Sequence, residues 1–434
     1  MAAWNMSDRR VAILGGARTP FAKAGGALRS VHAADLGKRA IQETLYRANW
    51  PADDLDEVIL GTVVMPVDAA NLARVSAIWA GVPVRIPGLT MQRNCASGME
   101  AIAEAAVRIR TGRGRAIIAG GAESMSTIPL LFPQETLEPM AQLGRAKGAL
   151  QKVAAAATLR PRHFRPVVAL ELGLTDPTCD MIMGKTAELL AQEWGISRRE
   201  QDEFALRSHQ RAVEAAEVGR FSDEIFPYYA GDRFNPVTGD TGPRPGQTIE
   251  ALAKLKPIFD RRDGTVTVGN SCQITDGAAT LLLADAEIAR AQGAEILGFI
   301  SGYAYVGLDP ARMGLGPVYA IDQLLRESGL TLRDIPLLEI NEAFAAQVLA
   351  CLKACDSARF AMEHLNHDDA LGAIDPERLN VNGGAIALGH PVGATGERIV
   401  LTLLLEMRRR NLERGIAALC VGGGQGAAIL LERA

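Results

Sequence analysis

Asp54-Leu55-Asp56-Glu57-Val58-Ile59-Leu60-Gly61 runs from an acidic turn into a short apolar strand. Just upstream, residues 36–48 place Leu36, Ala40, Ile41 and Leu45 at helical spacing. The same order of helix, short linker and strand returns much later. Residues 318–328 read as a helix, Leu332-Arg333-Asp334-Ile335-Pro336 as the linker, and Leu337-Leu338-Glu339-Ile340-Asn341 as the strand. A second pair of segments repeats as well. The Ala-rich helix 98–109 leads to the strand 115–121, ending in Gly120-Gly121. The helix 397–408 leads to the strand 417–421, followed by Gly422-Gly423-Gly424. Strands at 11–14 and 296–301 open the two series. The pattern predicts an α/β chain of two duplicated βα halves around a largely parallel, helix-covered sheet.

Between the repeats, residues 126–256 read differently, with scattered prolines and the loop Asn235-Pro236-Val237-Thr238-Gly239-Asp240. Helices are expected at 186–194 and 197–219, the second opened by a capping box of Ser197 and Glu200. This stretch reads as an inserted loop domain, a common carrier of substrate contacts over a sheet's carboxyl edge. The expected division is 1–125 for the first half, completed by about 257–291, then 126–256 for the insertion and 292–434 for the second half. Within the insertion, residues 145–174 hold several Arg and Lys and no acid before Glu171. The plain reading is a solvated basic face; the functional one is contact with an anionic partner, a membrane surface or ligand phosphates.

Composition narrows the function classes. Of 434 residues, 48% are hydrophobic and 22% charged, which excludes a disordered, collagen-like or coiled-coil chain. The net charge of −4 supplies no global basic field for nucleic acid. The N-terminal residues lack a signal peptide's regions, and no apolar run approaches a membrane span. Six cysteines suit free thiols in a reducing, cytoplasmic setting.

Four segments could carry chemistry. Arg93-Asn94-Cys95-Ala96-Ser97-Gly98 puts a thiol just before a helix, where the helix dipole and nearby N–H groups favour a thiolate nucleophile; the alternative is a buried structural Cys. Asn382-Gly383-Gly384 through Gly389-His390-Pro391-Val392-Gly393-Ala394-Thr395-Gly396 sets five glycines around one His. That His is suited to proton transfer near neutrality, unless the segment is only a tight turn. Cys420-Val421-Gly422-Gly423-Gly424 ends a strand with a thiol and N–H groups able to form an oxyanion site. Glu339-Ile340-Asn341-Glu342 adds polar groups at another strand end. No dinucleotide fingerprint and no Walker A sequence is present. Cys351, Cys355, His364 and His367 sit closer together than zinc-finger ligands do, and the two Cys fall on an apolar helix face, so no metal is expected.

Taken together, Asn94-Cys95-Ala96-Ser97-Gly98, Asn341-Glu342-Ala343-Phe344, Gly389-His390-Pro391 and Cys420-x-Gly422-Gly423-Gly424 resemble the thiolase family, in the same order and over essentially the whole chain. The resemblance implies a five-layered αβαβα fold of two related halves. It also implies a role for each residue. Cys95 matches the acyl-accepting nucleophile, His390 its base, and Cys420 the second acid/base. Asn341 matches the residue holding a water in one oxyanion hole, and the N–H groups of Cys95 and Gly422 match the second hole. Coenzyme A and acyl-CoA enter as substrates, with no tightly bound cofactor, and a homodimer or homotetramer is implied.

One departure stands out. Cys272, in Gly269-Asn270-Ser271-Cys272-Gln273, replaces a Ser that contacts the pantetheine of coenzyme A in many members. Residues around Gly269 and Cys272 are still expected to meet that arm. The long 356–380 stretch and Cys179-Asp180-Met181-Ile182-Met183-Gly184-Lys185 look more like thiolase subunits of β-oxidation complexes. The expectation is therefore a cytoplasmic 3-ketoacyl-CoA thiolase, with a hydratase/dehydrogenase partner subunit in view. The alternatives are an acetoacetyl-CoA thiolase (acetyl-CoA C-acetyltransferase), a decarboxylating ketoacyl synthase and a non-catalytic binding subunit.

Overall fold

The computed structural model describes residues 9–230 and 235–434; the reading of the first eight residues lies outside the described residues. The first half contributes β1 (Val11–Arg18), α1 (Ala33–Arg47), β2 (Glu57–Gly61), α2 (Leu72–Ala80), β3 (Gly88–Met91), α3 (Ser97–Arg110) and β4 (Ala116–Ser124). After it come α4 (Leu137–Arg145), α5 (Ala149–Ala157), α6 (Met183–Glu193) and α7 (Arg198–Glu217), and then β5 (Thr275–Asp285). The last part holds β6 (Gly298–Gly307), α8 (Gly316–Ser328), β7 (Leu337–Ile340), α9 (Ala345–Cys355), α10 (Thr395–Arg409), β8 (Arg414–Val421) and β9 (Gln425–Arg433). The capping box at α7 is present: Ser197 Oγ accepts from the Glu200 N–H, and the Glu200 carboxylate accepts from the Ser197 N–H at 2.7 Å.

Nine strands form one sheet in the order β3-β2-β4-β5-β1-β6-β9-β8-β7, and the two-residue strand Ala22–Lys23 pairs with β5. The duplication is visible in the ladder. In the first half β1 pairs antiparallel with β5, β5 antiparallel with β4, and β4 parallel with β2. In the second, β6, β9, β8 and β7 repeat those three pairings in the same sense. The two series join where Val11–Ile13 of β1 run antiparallel to Gly298–Ile300 of β6.

The expectation of a largely parallel sheet is corrected. Among the described residues, only the ladders β2/β3, β2/β4 and β7/β8 are parallel. The cause is that β5 and β9 each return between two strands of their own half. Gly423 and Gly424, at φ 86° and 72°, make the tight turn that folds β9 back on β8 as a hairpin, and hairpin strands are antiparallel. Every residue of β5 is buried, so no alternation marks its direction.

Five layers result. α1 packs on β1 and β5, α3 and α10 pack on each other between the two parts of the sheet, and α8 packs on β6 and β9. The central layer buries Met99, Ile102, Val400, Leu403 and Leu404 against Ile59, Ile117 and Ile429, each worth about 1.5–3 kcal/mol of transfer free energy. Two glycines set its tightness. A Cβ on Gly98 would strike the Glu397 carboxyl, and one on Gly396 would strike the Met99 backbone. The starts of α3 and α10 can therefore meet, which brings the loops before them together.

Candidate active site

Cys95 lies in the loop before α3, with Ala96 as the residue flanking the helix start. Asn94 takes the left-handed conformation at φ 43°, open to Asn at modest cost. That turn sends its Nδ2 to the Gly422 carbonyl at 2.8 Å. The neighbouring Arg93 donates to Gln425 Oε1 at 3.1 Å and stacks over Tyr305. The Cys95 loop of one half is thus tied to the β8–β9 turn of the other.

The electrostatics of Cys95 reverse the sequence expectation. Position before a helix suggested a lowered thiol pKa. In the structure burial pushes it up, the N–H groups of Gly422 and Cys95 pull it back only in part, and the Glu123 carboxylate adds to the rise. Cys95 thus rests as a thiol aimed at backbone N–H groups. Cys420, at the end of β8, is 1% exposed. Burial, then the nearby Cys95, Cys351 and Cys272, push its pKa well up, so it too is a neutral thiol rather than a group poised near neutral pH.

His390 is buried in the glycine-rich loop before α10. Its Nδ1 lies 2.6 Å from Thr395 Oγ1, and the Thr395 hydroxyl donates to the Pro391 carbonyl at 3.0 Å. With that hydrogen used, Thr395 accepts from Nδ1–H, and this network assigns the lone pair to Nε2. Nε2 faces Asn341 Nδ2 at 3.5 Å. Burial, aided by the positive charge of Arg398, pushes the imidazole down to about 3. His390 is therefore neutral, and its Nε2 lone pair accepts a long hydrogen bond from Asn341 Nδ2. Asn341 follows β7, its N–H held by the Ala418 carbonyl at 2.9 Å. Its buried Oδ1 has no protein partner. An unmet buried acceptor costs about 1–3 kcal/mol, which a bound water relieves.

Two neighbouring cavities reach these groups. One of about 380 Å³ is lined by Asn94, Cys95, Val63, Val64, Leu172 and Gly422. The other, about 580 Å³, is lined by His390, Cys272, Gln273, Phe259 and Phe344 and bordered by the exposed Lys23 and Arg244. Met125, Leu174, Met183 and Val392 line both. Cys272 is half-buried in that wall with a thiol pushed up to about 12 by burial and then by Cys95. The adjacent Ser271 hydroxyl is committed to the Thr267 carbonyl at 2.7 Å. Gly269 lies behind the wall, where its bare Cα lets Leu252 and Leu255 pack. Cys351 and Cys355 are core residues of α9, His364 stacks on Phe360, and His367 Nε2 pairs with Asp322 at 2.6 Å.

Sequence reasoning passed over the residues that hold the loops. Glu342 is buried and accepts from Ser208 at 2.6 Å, Asn380 at 2.9 Å and the Ile386 N–H, pinning the segment that leads to His390. Glu123 accepts from the N–H groups of Val63, Val64 and Gly393 at 2.8, 3.1 and 3.1 Å. Burial outweighs those bonds and lifts Glu123 to about 7. Thr395 and Glu342 stood inside motifs already singled out; no spacing in the sequence marks Glu123.

Comparison with known proteins agrees with this fold. Residues 11–287 match the family model "Thiolase, N-terminal domain" and 294–433 match "Thiolase, C-terminal domain". An acetyl-CoA acetyltransferase of Pseudomonas aeruginosa is 43% identical over 98% of this chain and 99% of its own. A 3-ketoacyl-CoA thiolase of Klebsiella pneumoniae is 39% identical over 98% and 97%. Among solved structures, the Bacillus anthracis acetyl-CoA acetyltransferase superposes with a TM-score of 0.87 at 40% identity, covering 99% of this chain and 100% of that one. Human mitochondrial 3-ketoacyl-CoA thiolase in complex with CoA gives 0.85 at 35% identity, covering 98% of both chains. With both family models matched across nearly its full length, the chain belongs to the thiolase family, whose members are acyltransferases.

Proposed function

We propose that this chain is a 3-ketoacyl-CoA thiolase that cleaves 3-ketoacyl-CoA with coenzyme A through an acyl-Cys95 intermediate. The observation that carries the reading is the placing of Cys95 and the Gly422 N–H on one cavity and of a neutral His390, its lone pair on Nε2, on the cavity beside it. As His390 Nε2 takes the Cys95 proton, the sulfur bonds to the ketone carbon. The oxyanion that forms is held by the N–H groups of Cys95 and Gly422. The carbon–carbon bond then breaks, and Cys420 gives its proton to the enolate carbon, releasing acetyl-CoA. A second coenzyme A thiol passes its proton to the Cys420 thiolate and attacks the thioester. Cys95 leaves and recovers its proton from His390, so the cycle closes with no net proton change. Asn341, with a water on its unmet Oδ1, completes with His390 the hole for the thioester oxygen.

The cavity bordered by Lys23 and Arg244 receives the coenzyme A arm, passing Cys272, while Gly269 supports that wall from behind. The apolar Val63, Val64 and Leu172 suit an acyl tail beyond acetyl. A homodimer or homotetramer, a hydratase/dehydrogenase partner subunit and a cytoplasmic setting belong to the same reading. Six free thiols agree with the last, as does the fact that, among the described residues, no helix is long and apolar enough to cross a membrane. The acetyl-CoA acetyltransferase alternative is supported by the relative from P. aeruginosa. Initial rates of coenzyme A-dependent cleavage, from acetoacetyl-CoA to 3-ketopalmitoyl-CoA with Cys95→Ala as the blank, decide between them. Rates that hold or rise with chain length are expected; activity confined to acetoacetyl-CoA selects the alternative.

A further inference from the structure

α10 carries a buried polar stripe that the chemistry above uses only at its first member. Thr395, Arg398, Thr402 and Glu406 recur at helical spacing, and all four are buried. Three of them are matched. Thr395 meets His390 Nδ1, the Thr402 hydroxyl donates to Glu224 at 2.7 Å, and Glu406 accepts from Asn382 Nδ2 at 3.0 Å, where the glycine-rich segment begins. Arg398 is matched only in part. Its Nη1 donates to Glu339 Oε2 at 3.2 Å. Its Nε and Nη2 find no partner among the described residues. A guanidinium stays charged in the core, so dry, unpaired N–H groups on it are costlier than on a neutral donor.

The place of those N–H groups is informative. Glu339 and Asn341 stand two residues apart, on β7 and its continuation, so their side chains leave one face of the strand about 7 Å apart. Glu339 meets Arg398 there, and Asn341 meets His390. The charge of Arg398 reaches the same neighbours: it disfavours a protonated His390 and favours an ionised Glu342. Asn341 Oδ1 is an unmet buried acceptor, and Arg398 brings unmet buried donors to the same strand face. The other unmet atoms of α10, the Glu397 carboxyl oxygens, lie elsewhere, against Gly98 of α3, as successive helical side chains do not face each other.

We propose that Arg398 is a positioning residue for the oxyanion hole of Asn341, its unmatched guanidinium N–H donating to the buried water on Asn341 Oδ1. The inference rests on the acyl-CoA reading above. A water that accepts from Arg398 and donates one hydrogen to Asn341 Oδ1 keeps its second hydrogen for the thioester oxygen. The fixed cation behind it favours the negative charge that grows on that oxygen. Glu339 holds the guanidinium in place from β7.

A high-resolution crystal structure of the full chain tests this directly. It should show a water within about 3.2 Å of both an Arg398 nitrogen and Asn341 Oδ1. A dry gap, or a water on Asn341 that does not touch Arg398, overturns the proposal. This readout stands whether or not any acyl-CoA is cleaved; absence of cleavage by the wild type sinks the catalytic reading instead. For catalysis, Arg398→Met/Glu339→Gln removes the cation and its counter-ion together and leaves no unpaired buried charge. Its kcat should fall about tenfold to a hundredfold, with KM changed less than about twofold. Glu339→Gln alone keeps the cation and an acceptor for Nη1, and kcat should fall no more than about threefold. A paired variant with near-wild-type kcat overturns the positioning role. So does an equal loss in Glu339→Gln, which assigns the effect to the anchoring of β7. If the paired variant melts far below the wild type, the water in the wild-type structure decides.

Discussion

β4 and β8 hold the same place in the two halves of the molecule, and their ends carry different chemistry. In the parallel ladders Gly121 stands opposite Gly61, and Ala418 stands opposite Ile340. Two residues on from these, one strand reaches Glu123 and the other Cys420. One residue beyond the partners lie Thr62 and Asn341. Thr62 Oγ1 donates to Glu123 at 3.3 Å, closing a satisfied polar knot. Asn341 keeps an open acceptor, and Cys420 keeps a thiol beside Cys95. The repeated fold supplies equal positions; at these strand ends the second half leaves its groups open, while the first spends its own on holding loops and, in the proposed reading, adds the nucleophile before α3.

Removing the nucleophile tests that division most severely. Cys95→Ala should lower kcat/KM by about four orders of magnitude or more and abolish the acyl-enzyme adduct seen by mass spectrometry of the intact protein. An adduct that persists would move the nucleophile elsewhere.

The paired strand ends give the sharper contrast. Cys420→Ala should cost about 10²–10⁴ in kcat and stop exchange of the acetyl α-proton, while Cys95 still acylates from acetyl-CoA. Retained exchange would remove Cys420 from the acid/base role. Thr395→Val, which deletes the Nδ1 partner of His390, should lower kcat about tenfold, with little effect on KM, through the lost bond that fixes the tautomer.

The pH dependence separates the halves again. With His390 pushed down to about 3 from its ordinary 6.5, kcat/KM should show no acid limb near 6.5; such a limb would mean an imidazole far less buried than this one.

The smallest effect belongs to Glu123. Its carboxyl is lifted from 4.5 to about 7, so the folded state holds a proton that the unfolded chain has released. Stability from that group is present below about 4.5 and is lost as pH rises through 7. The wild type should therefore lose on the order of 2 kcal/mol relative to Glu123→Gln between those limits. Urea melts at several pH values measure this, and parallel curves for the two proteins would refute it.

Much of this protein is legible in its residues. The helical and strand periodicities at 36–61 and 318–341 fix two related halves, because burial of one face demands those spacings whatever surrounds them. Cys95, His390, Asn341 and Cys420 stand out because glycines and strand ends flank them. The direction of β5 was decided in the tertiary structure, since a fully buried strand carries no mark of its partner's sense. The same holds for the protonation of the site. Position before a helix argued for a Cys95 thiolate, but desolvation depends on what the fold packs around the sulfur, and here it outweighs the N–H groups. Glu123 became a knot between two loops, and not one more surface acid, only when residues 62–64 and 393 closed around it. Local pattern determines which elements form and which side chains are chemically able; pairing sense, burial and pKa arise from groups far apart in the chain, and only folding brings those together.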